Sequence, residues 1–138
     1  MAICLVFLCR MSGADLSPAG RWKTVDDKTG LERGIVRIYE EHGALFGKVE
    51  AALKPDEAKE RCDLCTDDRK GRPVIGMVVM RWLRKQGDEY GGGDILDPDT
   101  GTVYRCKLRL LDQGKKLLVR GYLVVPLLGR SQIWIREP

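Results

Sequence analysis

The chain has 138 residues, 16 of them glycine, and lysine plus arginine exceed the acidic residues by four (24 − 20). That length suits one domain able to bury a sizeable core of its own. The basic excess is mild and dispersed, which excludes the clustered footprint of a nucleic-acid binder, and the glycine content favours tight turns and strand bends over helices.

In chain order, the first feature is the apolar run "AICLVFLC" with Ser12 and Ala14 behind it, at the spacing a signal peptidase reads. The run is too short to span a bilayer, so no stable membrane insertion is expected. It reads as a clipped or mis-started secretion signal over residues 1–14, with the mature chain beginning at Asp15. Leu8 is too large to precede a lipid-modified Cys9. Residues 15–138 then form a single domain.

The period-2 alternation of half-buried strands recurs along that domain, with turn residues between the segments. A first strand over 21–26 is closed by "DDKTG". Strands over 33–40 and 44–53 flank the turn "EHG" and make a hairpin. Residues 54–72 are polar and charged, a long connection with one helical turn around "PDEAKERC". The apolar stretch 73–85 reads as strand from its valines, Pro73 and Gly76. A glycine-softened strand follows over 87–96, and "DPDTG" turns the chain, proline presetting one φ and glycine supplying the awkward one. The cleanest alternation is 102–111: Tyr104, Cys106, Leu108 and Leu110 share one face, Arg105, Lys107 and Arg109 the other. Strands over 115–125 and 130–136, bent at "PLLG", complete the count. Eight strands in up-and-down order, joined mostly by short turns, predict an all-β, small antiparallel barrel, because closure removes exposed sheet edges.

"GRW" (Gly20, Arg21, Trp22) opens the first strand and "IWIR", ending in Trp134, Ile135 and Arg136, closes the last. This resembles the calycin superfamily, the lipocalins and their relatives. There a Gly-x-Trp packs under an arginine of the last strand, and the guanidinium on the indole face seals one barrel end. From Gly20 onward the segments "GRW", "DDKTG", "CDLC", "GGGDILDPDTGTVY", "LLVRGY" and "GRSQIWIR" together resemble an uncharacterised bacterial family, domain of unknown function 2147. The resemblance implies a periplasmic or secreted calycin-like barrel and supplies no reaction.

Cys62 and Cys65 form a C-x-x-C, half of a zinc site. A second pair is missing, and Cys106 and His42 are the only available partners, so no metal is expected. A thioredoxin-like centre needs a βαβ setting that is absent. In an exported chain the pair reads as a short disulfide stiffening the 54–72 connection, with Cys106 a buried free thiol. "DILDPDTGTVY" fails as a calcium loop because Leu108 stands where a bidentate glutamate is required. "GGGD" has neither the spacing nor the strand–helix setting of a phosphate loop. His42 sits in a hairpin turn, and Ser12, Ser17 and Ser131 lack a nucleophile setting. Asp94 and Asp97 read as strand-end and turn residues. No enzyme and no cofactor are expected.

Binding has the better case. Arg37 with Tyr39, Arg81 with Trp82, Arg120 with Tyr122 and Gln132 with Trp134 put charge and aromatics into otherwise apolar strands, the mixture of a ligand-orienting pocket. The leading expectation is a binding module taking a small amphiphilic or anionic ligand at the open barrel end. Its contacts are Tyr104, Arg120, Tyr122 and Trp134, in a pocket of roughly 300 Å³. Gly20, Trp22 and Arg136 seal the opposite end. The alternative is a protein-interaction or envelope-maintenance module that uses the 54–72 loop as contact surface.

Overall fold

The computed structural model describes residues 17–125 and 127–138; the expected secretion signal, with Cys9, Ser12 and Ala14, lies outside the described residues. Eight strands follow in chain order: β1 (Gly20–Val25), β2 (Glu32–Glu41), β3 (Ala44–Ala52), β4 (Val78–Gln86), β5 (Glu89–Asp97), β6 (Thr102–Leu111), β7 (Lys116–Tyr122) and β8 (Gly129–Arg136). Each pairs antiparallel with the next, and β1 returns to β8 through Trp22↔Arg136 and Lys23↔Ile135, closing the barrel. The all-β up-and-down expectation is met, and so is the helical turn, a 3-10 segment at Pro55–Lys59. One boundary moves. The strand expected over 73–85 begins only at Val78, and the stretch before it belongs to the connection, where Pro73 bridges to Arg61 and Gly76 has φ +87°.

Alternation decides which side chains fill the interior. On β6, Cys106 and Leu108 are buried while Val103, Arg105 and Arg109 are exposed, and on β7 Leu117 and Val119 are buried. These join Trp22, Val36, Ile38, Leu45, Met80, Leu83 and Trp134 in one continuous core. β4 bends at Trp82, whose φ is +60° and whose ring packs edge-on against Phe46. Gly93 lets β5 approach that bend: a Cβ there would stand 2.0 Å from the Arg81 carbonyl oxygen.

A second, smaller cluster forms where the 54–77 connection folds back over the β4–β5 side. It holds Cys62, Cys65, Met77, Val79 and Leu96. Cys62 and Cys65 are disulfide-bonded, and Cys106 is a buried free thiol. Arg69 fixes the same connection. Its side chain is 4% exposed and donates to Asp67 and, through Nη1, to the Val78 carbonyl at 3.0 Å.

One barrel end is plugged. The Arg136 guanidinium lies 4.3 Å from the Trp22 ring centroid. It donates to three backbone carbonyls, of Gly114 at 2.7 Å, Ala19 at 2.9 Å and Ser17 at 2.8 Å, and the Trp22 indole N–H donates to Pro18 O at 2.8 Å. Gly20 has φ +131°, and a Cβ there would meet Arg136 Nη1 at 2.8 Å, so the first residue of the Gly-x-Trp is required by the guanidinium above it.

Candidate functional site

The other end is hollow. A cavity of about 220 Å³ opens between the later residues of β1, β3, β5 and β7 and the earlier residues of β2, β4, β6 and β8. Val36, Val119 and Trp134 belong both to its lining and to the packed core, so they form its floor. Val49, Ala51, Val79, Ile95 and Tyr104 add largely apolar walls. The cavity is smaller than the roughly 300–1,000 Å³ typical of drug-sized sites, and smaller than the sequence led us to expect.

Charge is confined to the mouth, where the strands end and four connections meet. Asp26, Glu57, Glu60, Asp97 and Asp99 line it, against Arg33 and Arg130. Both guanidiniums are engaged by carboxylates. Arg33 reaches Asp99 at 3.2 Å, Glu57 at 3.4 Å and Asp26 at 3.8 Å. Arg130 grips Asp27 at 2.6 Å. The Asp27 carboxyl is held down at about 2, chiefly by the Arg130 hydrogen bonds, which outweigh its partial desolvation. Backbone N–H groups of Thr29 and Lys28 lower Asp26. Asp26 and Asp27 are therefore ionised at neutral pH. A polar track runs inward along one face of β8. Gln132 donates to Asp27 at 3.3 Å, and Trp134 Nε1 donates to the Gln132 side-chain oxygen at 2.9 Å.

The 54–77 connection forms part of this mouth. Glu57 comes from its 3-10 turn, Glu60 from just beyond, and Val74 and Ile75 from its return. The Cys62–Cys65 disulfide sits between those two stretches. At the same end of the barrel, the β7–β8 turn exposes Leu123, Val124, Val125, Leu127 and Leu128.

Of the four residues expected to contact ligand, the cavity brings two together. Tyr104 and Trp134 line it. Arg120 and Tyr122 do not; on β7 the cavity takes Val119 and Gly121. Arg120 donates instead to Ser131 Oγ at 2.8 Å. Tyr122 lies in register with Arg105 and Gly129, two residues outside the lining. Gly121 is what admits Tyr104: a Cβ there would stand 3.2 Å from the tyrosine Cβ. Sequence reasoning passed over Arg33, Glu57, Glu60 and Arg130, and weighed Asp97 and Asp99 only to set them aside. Asp97 and Asp99 were visible only as a turn, and Arg130 only through its shared parity with Gln132, Trp134 and Arg136.

His42 is a strongly exposed turn residue, with Glu41 at 3.7 Å. Among the described residues, no three of His, Cys, Asp and Glu are grouped to hold a metal ion, and no helix is long and apolar enough to cross a membrane.

The family described as "Uncharacterized protein conserved in bacteria (DUF2147)" matches residues 20–136. No curated protein matches the sequence. Among solved structures the fold is similar to "Protein HP1028 from the human pathogen Helicobacter pylori belongs to the lipocalin family", with a TM-score of 0.75 and 19% identity over 88% of this chain and 84% of that one. At that identity the likeness concerns the fold.

Proposed function

The chain belongs to the DUF2147 family of bacterial proteins, and from its lipocalin-like barrel we propose that it is a non-enzymatic binding module that takes a small amphiphilic molecule into the open end. The observation that carries this is the half-filled interior. The sealed half is packed around Trp22, while the other half leaves about 220 Å³ between apolar walls. A cavity of this kind, with its polar groups gathered at one rim, buries an apolar tail and orients a polar head. The disulfide supports a periplasmic or secreted setting, where such bonds persist.

Native mass spectrometry of protein purified from a bacterial periplasm tests this, beside the cavity-filling variant Ala51→Trp, with circular dichroism to check that it folds. The expected result is a small molecule retained by the wild type and missing from the variant. Equal retention and equal uptake of apolar probes by both proteins would overturn the proposal.

A second reading makes the 54–72 loop a protein contact surface. Leu64, 61% exposed on the disulfide-bonded loop, favours it. Partner capture unchanged by Leu64→Ser and by reduction of the disulfide rules it out.

A further inference from the structure

We infer that the cavity selects a cationic head group: its ligand is a short apolar chain ending in an amine or quaternary ammonium, and carboxylates of the same chain length are rejected. This rests on the binding reading above and narrows it to one ligand class.

The charges at the mouth do not balance. Five carboxylates line the cavity against two guanidiniums. With Asp27 behind Arg130 the count is six to two, a local excess of four negative charges in a chain whose net charge is +4. Among the described residues the two arginines are the only cationic side chains lining the cavity. An incoming carboxylate would have to displace Asp26, Glu57 or Asp99 from Arg33, or Asp27 from Arg130, and the displaced oxygens would face the newcomer. Neither guanidinium forms a direct ion pair with Glu60 or Asp97, although Arg130 is close enough to Asp97 to feel its charge. Lys59 and Arg61 line an adjoining surface depression that shares Glu60, Pro98 and Asp99 with the mouth; with them and Asp63 counted, seven carboxylates face four cations and the excess is still negative. Because the mouth acids are not grouped to cage a metal ion, the cation they suit is a diffuse organic one, whose own chain fills the apolar space beneath. An ammonium entering there gains attraction in a partly desolvated rim, where it is worth more than in bulk water.

Calorimetric titration at pH 7 and low salt, with octyltrimethylammonium, 1-octanol and octanoate, tests the charge at constant chain length. Wild-type protein is expected to bind the cation at least about tenfold more tightly than the alcohol, and octanoate most weakly. In 0.5 M salt the preference shrinks, as screening shortens to a few ångströms. In Glu60→Gln/Asp97→Asn the preference falls, while the Arg33 and Arg130 pairs and the Asp97 side-chain acceptor for the Asp99 N–H are kept. Ala51→Trp should weaken all three ligands. Octanoate or octanol binding as well as the cation would overturn the inference and leave the binding module standing. Failure of all three to bind, in wild type and Ala51→Trp alike, would overturn both.

Discussion

The closed end offers a perturbation whose size follows from geometry. Arg136→Ala removes a guanidinium stacked 4.3 Å from the Trp22 centroid and three donations to the carbonyls of Gly114, Ala19 and Ser17. A desolvated cation–π contact contributes about 1–2 kcal/mol. Each hydrogen bond to a charged group is worth about 1.5–3 kcal/mol when its partner stays buried, but Arg136 is half-buried, so water re-solvates much of what is lost. The net cost is about 3 kcal/mol. With about 2 cal/mol/K of unfolding entropy per residue, a barrel of this size loses about 4 °C in Tm per kcal/mol, so Arg136→Ala melts about 12 °C lower. Arg136→Lys keeps a charge over the indole but cannot serve three carbonyls from one planar fork, so it should lose about half as much. Gly20→Ala should resemble Arg136→Ala, since its Cβ would collide with Nη1 at a left-handed φ. Scanning calorimetry of the three variants decides the matter. An Arg136→Ala midpoint within about 3 °C of wild type would show that the plug is not what closes this end.

Two further outcomes follow from the connection over the β4–β5 side. Reducing the Cys62–Cys65 disulfide, or replacing both residues by serine, should cost about 2 kcal/mol, the low end for a bond closing so few residues; native-state alkylation with peptide mapping should leave Cys106 unmodified, its thiol pushed up by burial, until denaturant is added. Asp67, held at about 2 chiefly by hydrogen bonds from Arg69 and ordinarily near 3.8, contributes stability that is present above about pH 4 and lost as pH falls through 2; Asp67→Asn should therefore cost about 1–2 kcal/mol at pH 7 once the exposure of Asp67 is allowed for, because the buried Arg69 guanidinium keeps the Val78 carbonyl but loses its carboxylate, and the gap to wild type in urea titrations should close toward pH 2.

The barrel was legible because each strand carries its own signal. Tyr104, Cys106, Leu108 and Leu110 alternate with charges within ten residues, and the turns between strands are written in glycine, proline and aspartate. The start of β4 was not, because "PVIGM" is apolar throughout and only the backbone shows that it runs as part of a loop; hydropathy does not separate a buried connection from a strand. The inner face of β7 was hidden for a related reason. Leu117, Leu118 and Val119 are apolar in succession, so the phase is ambiguous, and the inward position that matters is Gly121, which has no side chain to announce it. Arg120 and Tyr122 drew attention because they are large and carry polar groups, but they have the opposite parity to Leu117, Val119 and Gly121 and so miss the cavity, Tyr122 being buried elsewhere. The mouth was less legible still. Arg33 meets Asp99 across 66 residues, and Arg130 meets Asp27 across 103. Closure of the sheet creates those pairs, and no local window contains both members.

That non-locality explains why the net charge and the rim point to different ligands. A chain at +4 with arginines on several strands invites an anionic guest. Yet Arg105 and Arg109 stand exposed on β6, away from the cavity lining, and Lys107 and Arg120 lie outside that lining too. Charges on an exposed wall act through water and salt, which screen them within about 8–10 Å. A molecule entering the barrel instead meets the rim at contact distance and under partial desolvation, where each charge counts for more. Five carboxylates against two guanidiniums at that rim therefore outweigh a dispersed surplus elsewhere. The same reasoning separates two effects of salt: it should weaken any loose attraction of the outer wall to anionic surfaces, and also the rim's discrimination between head groups, while leaving the apolar contribution of the tail in place.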